Sequence, residues 1–106
     1  MEAPNHGRFA SASFLVLASL ADSPKHGYAM MQDIRSFSGT QLEPGTLYGC
    51  IARLERLGWI EVLPMEGRRR PYQVTTAGAA EFRRHVVTLN HVIRVSRARL
   101  ATLEAP

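Results

Sequence analysis

Lysine is nearly missing from this chain: of its 13 basic residues only Lys25 is a lysine. The remaining cations are arginines, whose guanidinium fork grips anionic oxygens with paired hydrogen bonds. An arginine-biased genome would leave the same composition, so placement along the chain has to decide between the two readings. Cysteine is as scarce. Cys50 stands alone, which excludes an internal disulfide and fits a reducing compartment. No apolar run is long. The stretch from Phe14 to Ala21 falls well short of the roughly 20 residues that span a bilayer, and the N-terminus lacks the basic start and cleavage site of a signal peptide. A soluble cytoplasmic chain with no membrane partner is therefore expected. His6, His26, His85 and His91 have no metal-site spacing, and no acid or nucleophile is paired with them in sequence. Neither a metal, a cofactor nor an enzymatic activity is expected from them.

What is present suits one small domain, or a small domain with one appended helix. The 106 residues are 45% hydrophobic, with a net charge of +4 and a pI near 10.0. A core built by so short a chain is marginal and gains from oligomerisation. Residues 1–7 read as a flexible N-terminus. From Arg8 or Phe9 to about Asp22 the pattern is helical and apolar nearly all round. A helix with no polar face needs cover on several sides, and the excess points to a partner chain. Ser23-Pro24 ends that helix. A second helix is expected from His26 to Phe37, with Met30, Ile34 and Phe37 at core spacing and Asp33 and Arg35 outward.

The third helix, over 44–57, opens with Pro44 in the first turn and stops at Gly58. Leu47, Cys50, Ile51, Leu54 and Leu57 share its apolar side, while Gly45, Gly49, Ala52 and Arg56 lie opposite, with Tyr48 and Arg53 on the flanks. Two glycines on an exposed helix face cost about 1 kcal/mol each relative to alanine. Close approach of a sugar-phosphate strand would justify that cost; a tight helix–helix contact is the alternative. Thr46 and Tyr48 place hydroxyls at the end of the helix that attracts phosphate.

A hairpin is expected over residues 59–75, with strands at Ile60–Leu63 and Tyr72–Val74. Its tip, Glu66-Gly67-Arg68-Arg69-Arg70, projects three adjacent cations. Alone they read as a solvated run; after a groove-binding helix they become a grip on phosphates or the minor groove. Pro71 fits the start of an edge strand. Thr75 is a plausible cap for a last helix reaching about Leu103. Along it Phe82, Val86, Leu89, Ile93, Ser96, Leu100 and Leu103 alternate at spacings of three and four, a heptad seam with one polar member. A second copy would complete its burial, helped by Phe14 and Leu17 of the first helix; an arm folded back on its own domain is the alternative.

Taken together, Pro24-Lys25-His26-Gly27-Tyr28, Pro44-Gly45-Thr46-Leu47-Tyr48, Arg53-Leu54-Glu55-Arg56-Leu57-Gly58-Trp59-Ile60 and Tyr72-Gln73-Val74-Thr75-Thr76-Ala77-Gly78 resemble the ordered motifs of the PadR family of bacterial transcriptional regulators. The likeness runs over about residues 10–80. Three positions depart from it: Gly49 replaces the usual proline, Glu43 a serine-like cap, and Pro71 a wing aromatic. Gly49 and Glu43 bear on groove fit and operator choice.

The resemblance implies a mostly α fold with a small β-hairpin (α+β), a winged helix-turn-helix over 8–75, and a short C-terminal dimerisation helix over 76–106. It implies a homodimer on an inverted-repeat operator of double-stranded DNA, usually as a repressor, with a small-molecule effector binding near the dimer helices in some members. The recognition helix would enter the major groove and the wing, 64–71, would hold the flanking backbone or minor groove. Candidate DNA-contacting residues are Pro44, Gly45, Thr46, Tyr48, Gly49, Arg53, Arg68, Arg69, Arg70 and Tyr72. A winged-helix module that binds protein without DNA is the rival reading.

Overall fold

A computed structural model describes residues 11–106, and the expected flexible N-terminus lies outside the described residues. Four helices and three short strands follow in the order α1 (Ala12–Leu20), β1 (Lys25–His26), α2 (Gly27–Ser38), α3 (Pro44–Arg56), β2 (Ile60–Val62), β3 (Pro71–Val74) and α4 (Thr76–Glu104). The expected helices and hairpin are all present. The architecture is a winged helix-turn-helix with a long C-terminal helix.

Helix α1 is the centre of the body. It touches α2, α3, α4 and β3, and Leu15, Val16, Leu17 and Leu20 are all buried. Its apolar excess is thus satisfied within its own chain, contrary to the expectation that a partner must cover it. Leu17 in particular is only 2% exposed and has no area to offer a second copy. The expected start at Arg8 or Phe9 lies outside the described residues. Ser11 is extended (φ −64°, ψ 150°), and its hydroxyl accepts from the Phe14 N–H at 3.1 Å, fixing the first turn at Ala12.

The sole lysine closes the other end of α1. Lys25 Nζ donates to the Ser19 carbonyl, to Asp22 Oδ1 at 2.6 Å and to Ser23 Oγ at 3.2 Å. A cation against C-terminal carbonyls is favoured by their partial negative charge. The same ammonium, by hydrogen bond and by charge, holds the Asp22 carboxyl below its ordinary value. Buried Ser19 donates in turn to Asp33 Oδ2 at 2.7 Å. Asp33, expected outward, is therefore half-buried, because a buried hydroxyl needs a partner.

Met30 and Ile34 of α2 and Leu47, Ile51 and Leu54 of α3 form the core with α1, Leu42, Ile60 and Tyr72. Two expected core residues are outside it. Phe37 is 49% exposed, while Leu42 from the following loop is buried. Leu57, also 49% exposed, is the cap residue beyond the last turn of α3, where Gly58 at φ 77° turns the chain away.

The sheet has an unexpected third strand. Its order is β1-β3-β2, all antiparallel, with Lys25 opposite Tyr72 and His26 opposite Pro71. Strand β3 is central, so Pro71 does not lie on an edge strand. It is tolerated as the strand's first residue, where β1 gives way to α2; its carbonyl still accepts from the Leu63 N–H at 2.9 Å.

Helix α4 is joined to the body by a tight junction. Thr75 Oγ1 accepts from the Gly78 N–H at 3.0 Å and donates to the Gly58 carbonyl at 2.6 Å, while the Thr75 N–H donates to the Trp59 carbonyl at 3.0 Å. A Cβ at residue 78 would overlap that same Trp59 carbonyl. Phe82, one turn on, stacks on Phe14 with ring centroids 5.4 Å apart. Past Val86 every residue of α4 is exposed. At 29 residues the helix is about 44 Å long, which stretches the molecule to 60 × 33 × 20 Å. Gly78→Ala is expected to lower the unfolding free energy by about 1–3 kcal/mol, as overpacking against backbone does, read as a fall in the urea midpoint. An unchanged midpoint would show that α4 does not need this approach.

Candidate nucleic-acid interface

The face of α3 turned away from the core is open. Pro44, Gly45, Thr46, Tyr48, Gly49, Ala52 and Arg56 are all exposed. A Cβ built at Gly45 or Gly49 would meet nothing within 4 Å. Among the described residues no helix–helix contact asks for these glycines. Arg53 is different. Its Nη2 donates to Ser13 Oγ at 2.5 Å, so the guanidinium braces α3 against α1 instead of pointing freely from the helix.

Tyr48 leans from α3 over the start of α2. A Cβ at residue 27 would overlap its phenol, so the His26-Gly27-Tyr28 and Thr46-Leu47-Tyr48 motifs, far apart in sequence, meet side by side. The wing completes a cleft of about 330 Å³ there, lined by His26, Gly27, Tyr28, Tyr48, Arg68, Arg69, Arg70 and Tyr72. The wing turns tightly: Glu66 and Arg69 exchange both backbone hydrogen bonds, at 2.8 and 3.0 Å, across Gly67 at φ 63° and Arg68. A two-residue turn needs a positive φ that glycine adopts without strain. All three arginines are exposed, and among the described residues no carboxylate pairs with any of them. Their charge faces the cleft and solvent uncompensated.

Tyr72 is placed otherwise than expected. It is 8% exposed and belongs to the core, so it forms the floor of the cleft and offers almost no contact area. Burial first, then the Glu55 charge, push its phenol above the ordinary value of 10.0, against the opposing pull of Arg70. It stays a neutral hydroxyl at physiological pH.

Two cleft residues were missed as site residues in the sequence reading. Tyr28 is 61% exposed and receives a hydrogen bond from Gln32 Nε2 at 3.2 Å. His26 serves first as a local hydrogen bonder: Nδ1 accepts from the Ala29 N–H at 3.4 Å and caps α2. It also stands 3.4 Å from Arg69 Nη1 through Nε2. The motif itself was the available signal, since it brings a ring and a phenol to one helix start.

The expected seam on α4 divides in two. Phe14 and Phe82 stack within the chain and Phe82 packs on the core, so the lower part of the stripe is already used. Val86 is half-buried. Leu89, Ile93, Ser96, Leu100 and Leu103 are exposed, as are Val92 and Val95 beside them. Cys50 is half-buried against the core, as a small apolar residue. Among the described residues no group of three or more His, Cys, Asp or Glu could hold a metal ion, and no helix is long and apolar enough to cross a membrane.

Comparison with known proteins agrees with this geometry. The model of the transcriptional regulator PadR-like family matches residues 16–84. A PadR family transcription regulator from Clostridium difficile R20291 superposes with a TM-score of 0.77 at 20% identity, over 84% of this chain and 97% of that one. A PadR family transcriptional regulator from Eggerthella lenta DSM 2243 is 29% identical with a TM-score of 0.68, over 93% of this chain and 87% of its own. An uncharacterized 37.1 kDa protein of transposon TN4556 from Streptomyces fradiae is 49% identical over 67 residues, which is 63% of this chain. The chain spans only 19% of that relative's length.

Because Gly49 sits mid-helix facing open space, Gly49→Ala is expected to stabilise the fold by up to about 1 kcal/mol, raising the melting temperature. A drop would reveal a contact that the glycine protects.

Proposed function

The chain belongs to the PadR-like family of transcriptional regulators, and from that premise we propose that it represses transcription as a homodimer on an inverted-repeat operator. The observation that carries the reading is the cleft shared by Tyr48 and the wing arginines. It brings the Tyr48 hydroxyl of α3 beside three guanidinium groups from a separate element, none of them paired with a carboxylate among the described residues. The 44–57 helix enters the major groove by its open face, where Gly45 and Gly49 let the strand come close and Thr46 and Tyr48 bond phosphates or base edges. The wing, 64–71, holds the flanking backbone or minor groove through Arg68, Arg69 and Arg70. Residues 8–75 act as the DNA-binding domain in the cytoplasm, with Tyr72 supporting the surface from beneath and the exposed Arg53 bracing α3 on Ser13 at its flank.

Dimerisation falls to residues 76–106. What supports it is the half-exposed stripe of Leu89, Val92, Ile93 and Leu100 on an arm that its own body does not reach. Apolar side chains left in water are a standing penalty, and a second copy removes it. Two clasped arms would set two α3 helices at the separation of successive major-groove faces, which an inverted repeat matches. Release by a small apolar effector is part of the same proposal. It is supported by a groove of about 660 Å³ at the base of the arm, walled by Leu20, Val74, Phe82 and Val86.

Binding to an operator selected from random DNA is expected to weaken steeply with salt, because each neutralised phosphate releases counterions. Tyr48→Ala and Arg69→Ala should each lower affinity about tenfold without altering the dimer or its melting. Retained affinity in both variants would refute the interface, and weak salt dependence would favour a protein-binding winged helix. Separately, Ile93→Asp with Leu100→Asp should yield a folded monomer in sedimentation; a dimer that survives both changes would remove the arm's role.

A further inference from the structure

We propose that the His26 imidazole is itself a phosphate-binding group, donating from Nε2–H to the DNA backbone beside Arg69. This rests on the DNA-binding reading above and assigns the partner of one side chain within it.

The ring is faced by two donors. The Ala29 backbone N–H lies 3.4 Å from Nδ1, and Arg69 Nη1 lies 3.4 Å from Nε2. A neutral imidazole has one lone pair and one N–H, so it cannot accept from both. The two claims are unequal. Ala29 is half-buried in the first turn of α2, where its N–H has no helical acceptor of its own. Arg69 is exposed and water can serve it. The lone pair therefore belongs to Nδ1 and the proton to Nε2.

That assignment leaves Nε2–H and the guanidinium converging as two donors with no acceptor between them. A non-bridging phosphate oxygen satisfies both at once, through one neutral and one charge-assisted hydrogen bond. The walls agree: the phenols of Tyr28 and Tyr48 add donors, and no carboxylate lines the cleft. Wing and helix start are held in place for this by β1, whose His26 lies opposite Pro71 of β3. A neutral donor adds affinity without releasing a counterion, so its contribution does not appear in the salt dependence.

His26→Ser keeps an oxygen able to cap α2 and deletes the Nε2–H. At low salt, a short random-sequence duplex is expected to bind this variant of the full chain roughly tenfold more weakly than the parent. The slope of affinity against salt should stay unchanged. Arg69→Gln should lose affinity and lower that slope by about one phosphate. Nitrogen NMR of the parent ring should report the Nε2-protonated tautomer, with the Nε2–H signal displaced when duplex is added. Parent-like binding by His26→Ser, or a proton on Nδ1, overturns the assignment and leaves the DNA-binding reading standing. A parent that ignores duplex altogether overturns both.

Discussion

The Trp59 carbonyl is the point on which the molecule's geometry turns. It accepts from the Thr75 N–H, and Gly78 passes so close that no side chain fits between them. Thr75 adds a bond to the Gly58 carbonyl. Three elements are thereby locked together: the end of α3, the root of the wing and the first turn of the arm. A carbonyl that could not find a donor here would be costly to bury, so the junction tolerates little slack. Its rigidity is what transmits the direction of the arm to the direction of α3.

A second constraint acts at the opposite end of the wing. Strand β1 is two residues long, yet it holds the start of α2 against β3. Lys25 anchors it from one side through α1 carbonyl and carboxylate oxygens. His26 anchors it from the other as the cap of α2. The cleft between wing and helices thus has walls fixed by hydrogen bonds on both flanks, with the exposed wing arginines at its rim. Fixed walls with exposed charges at the rim suit a surface that must fit a regular backbone and read local groove width.

The apolar content is divided unevenly, in a way that fits the proposed dimer. Helix α1 lies mostly inside the body, in contact with α2, α3, α4 and β3. Helix α4 lies almost wholly outside it, past the Phe14–Phe82 stack. Composition already separates them: α1 carries no charged residue, whereas α4 sets its apolar stripe among five arginines. One stabilises the fold of a single chain; the other is available to a second copy. In the proposed repressor the dimer then sets the spacing between heads.

Local signals in the chain determined a good deal. Pro44 and Gly58 bracket α3, Gly67 marks the wing turn, and Thr75 caps α4, because each depends on backbone preferences set within a few residues. The motifs also determined the family and the winged-helix fold. Only the tertiary structure decided that Leu17 and Tyr72 are buried, that Arg53 is engaged by Ser13, and that Phe37 and Leu57 are not core. A helical face says which residues share a side, not what lies against it. Strand β1 was invisible for a related reason: two residues have no period, and their pairing partner is supplied by a segment more than forty positions away. The donor conflict at His26 belongs to the same class, since Ala29 and Arg69 compete for one ring only once the wing has folded back over the start of α2.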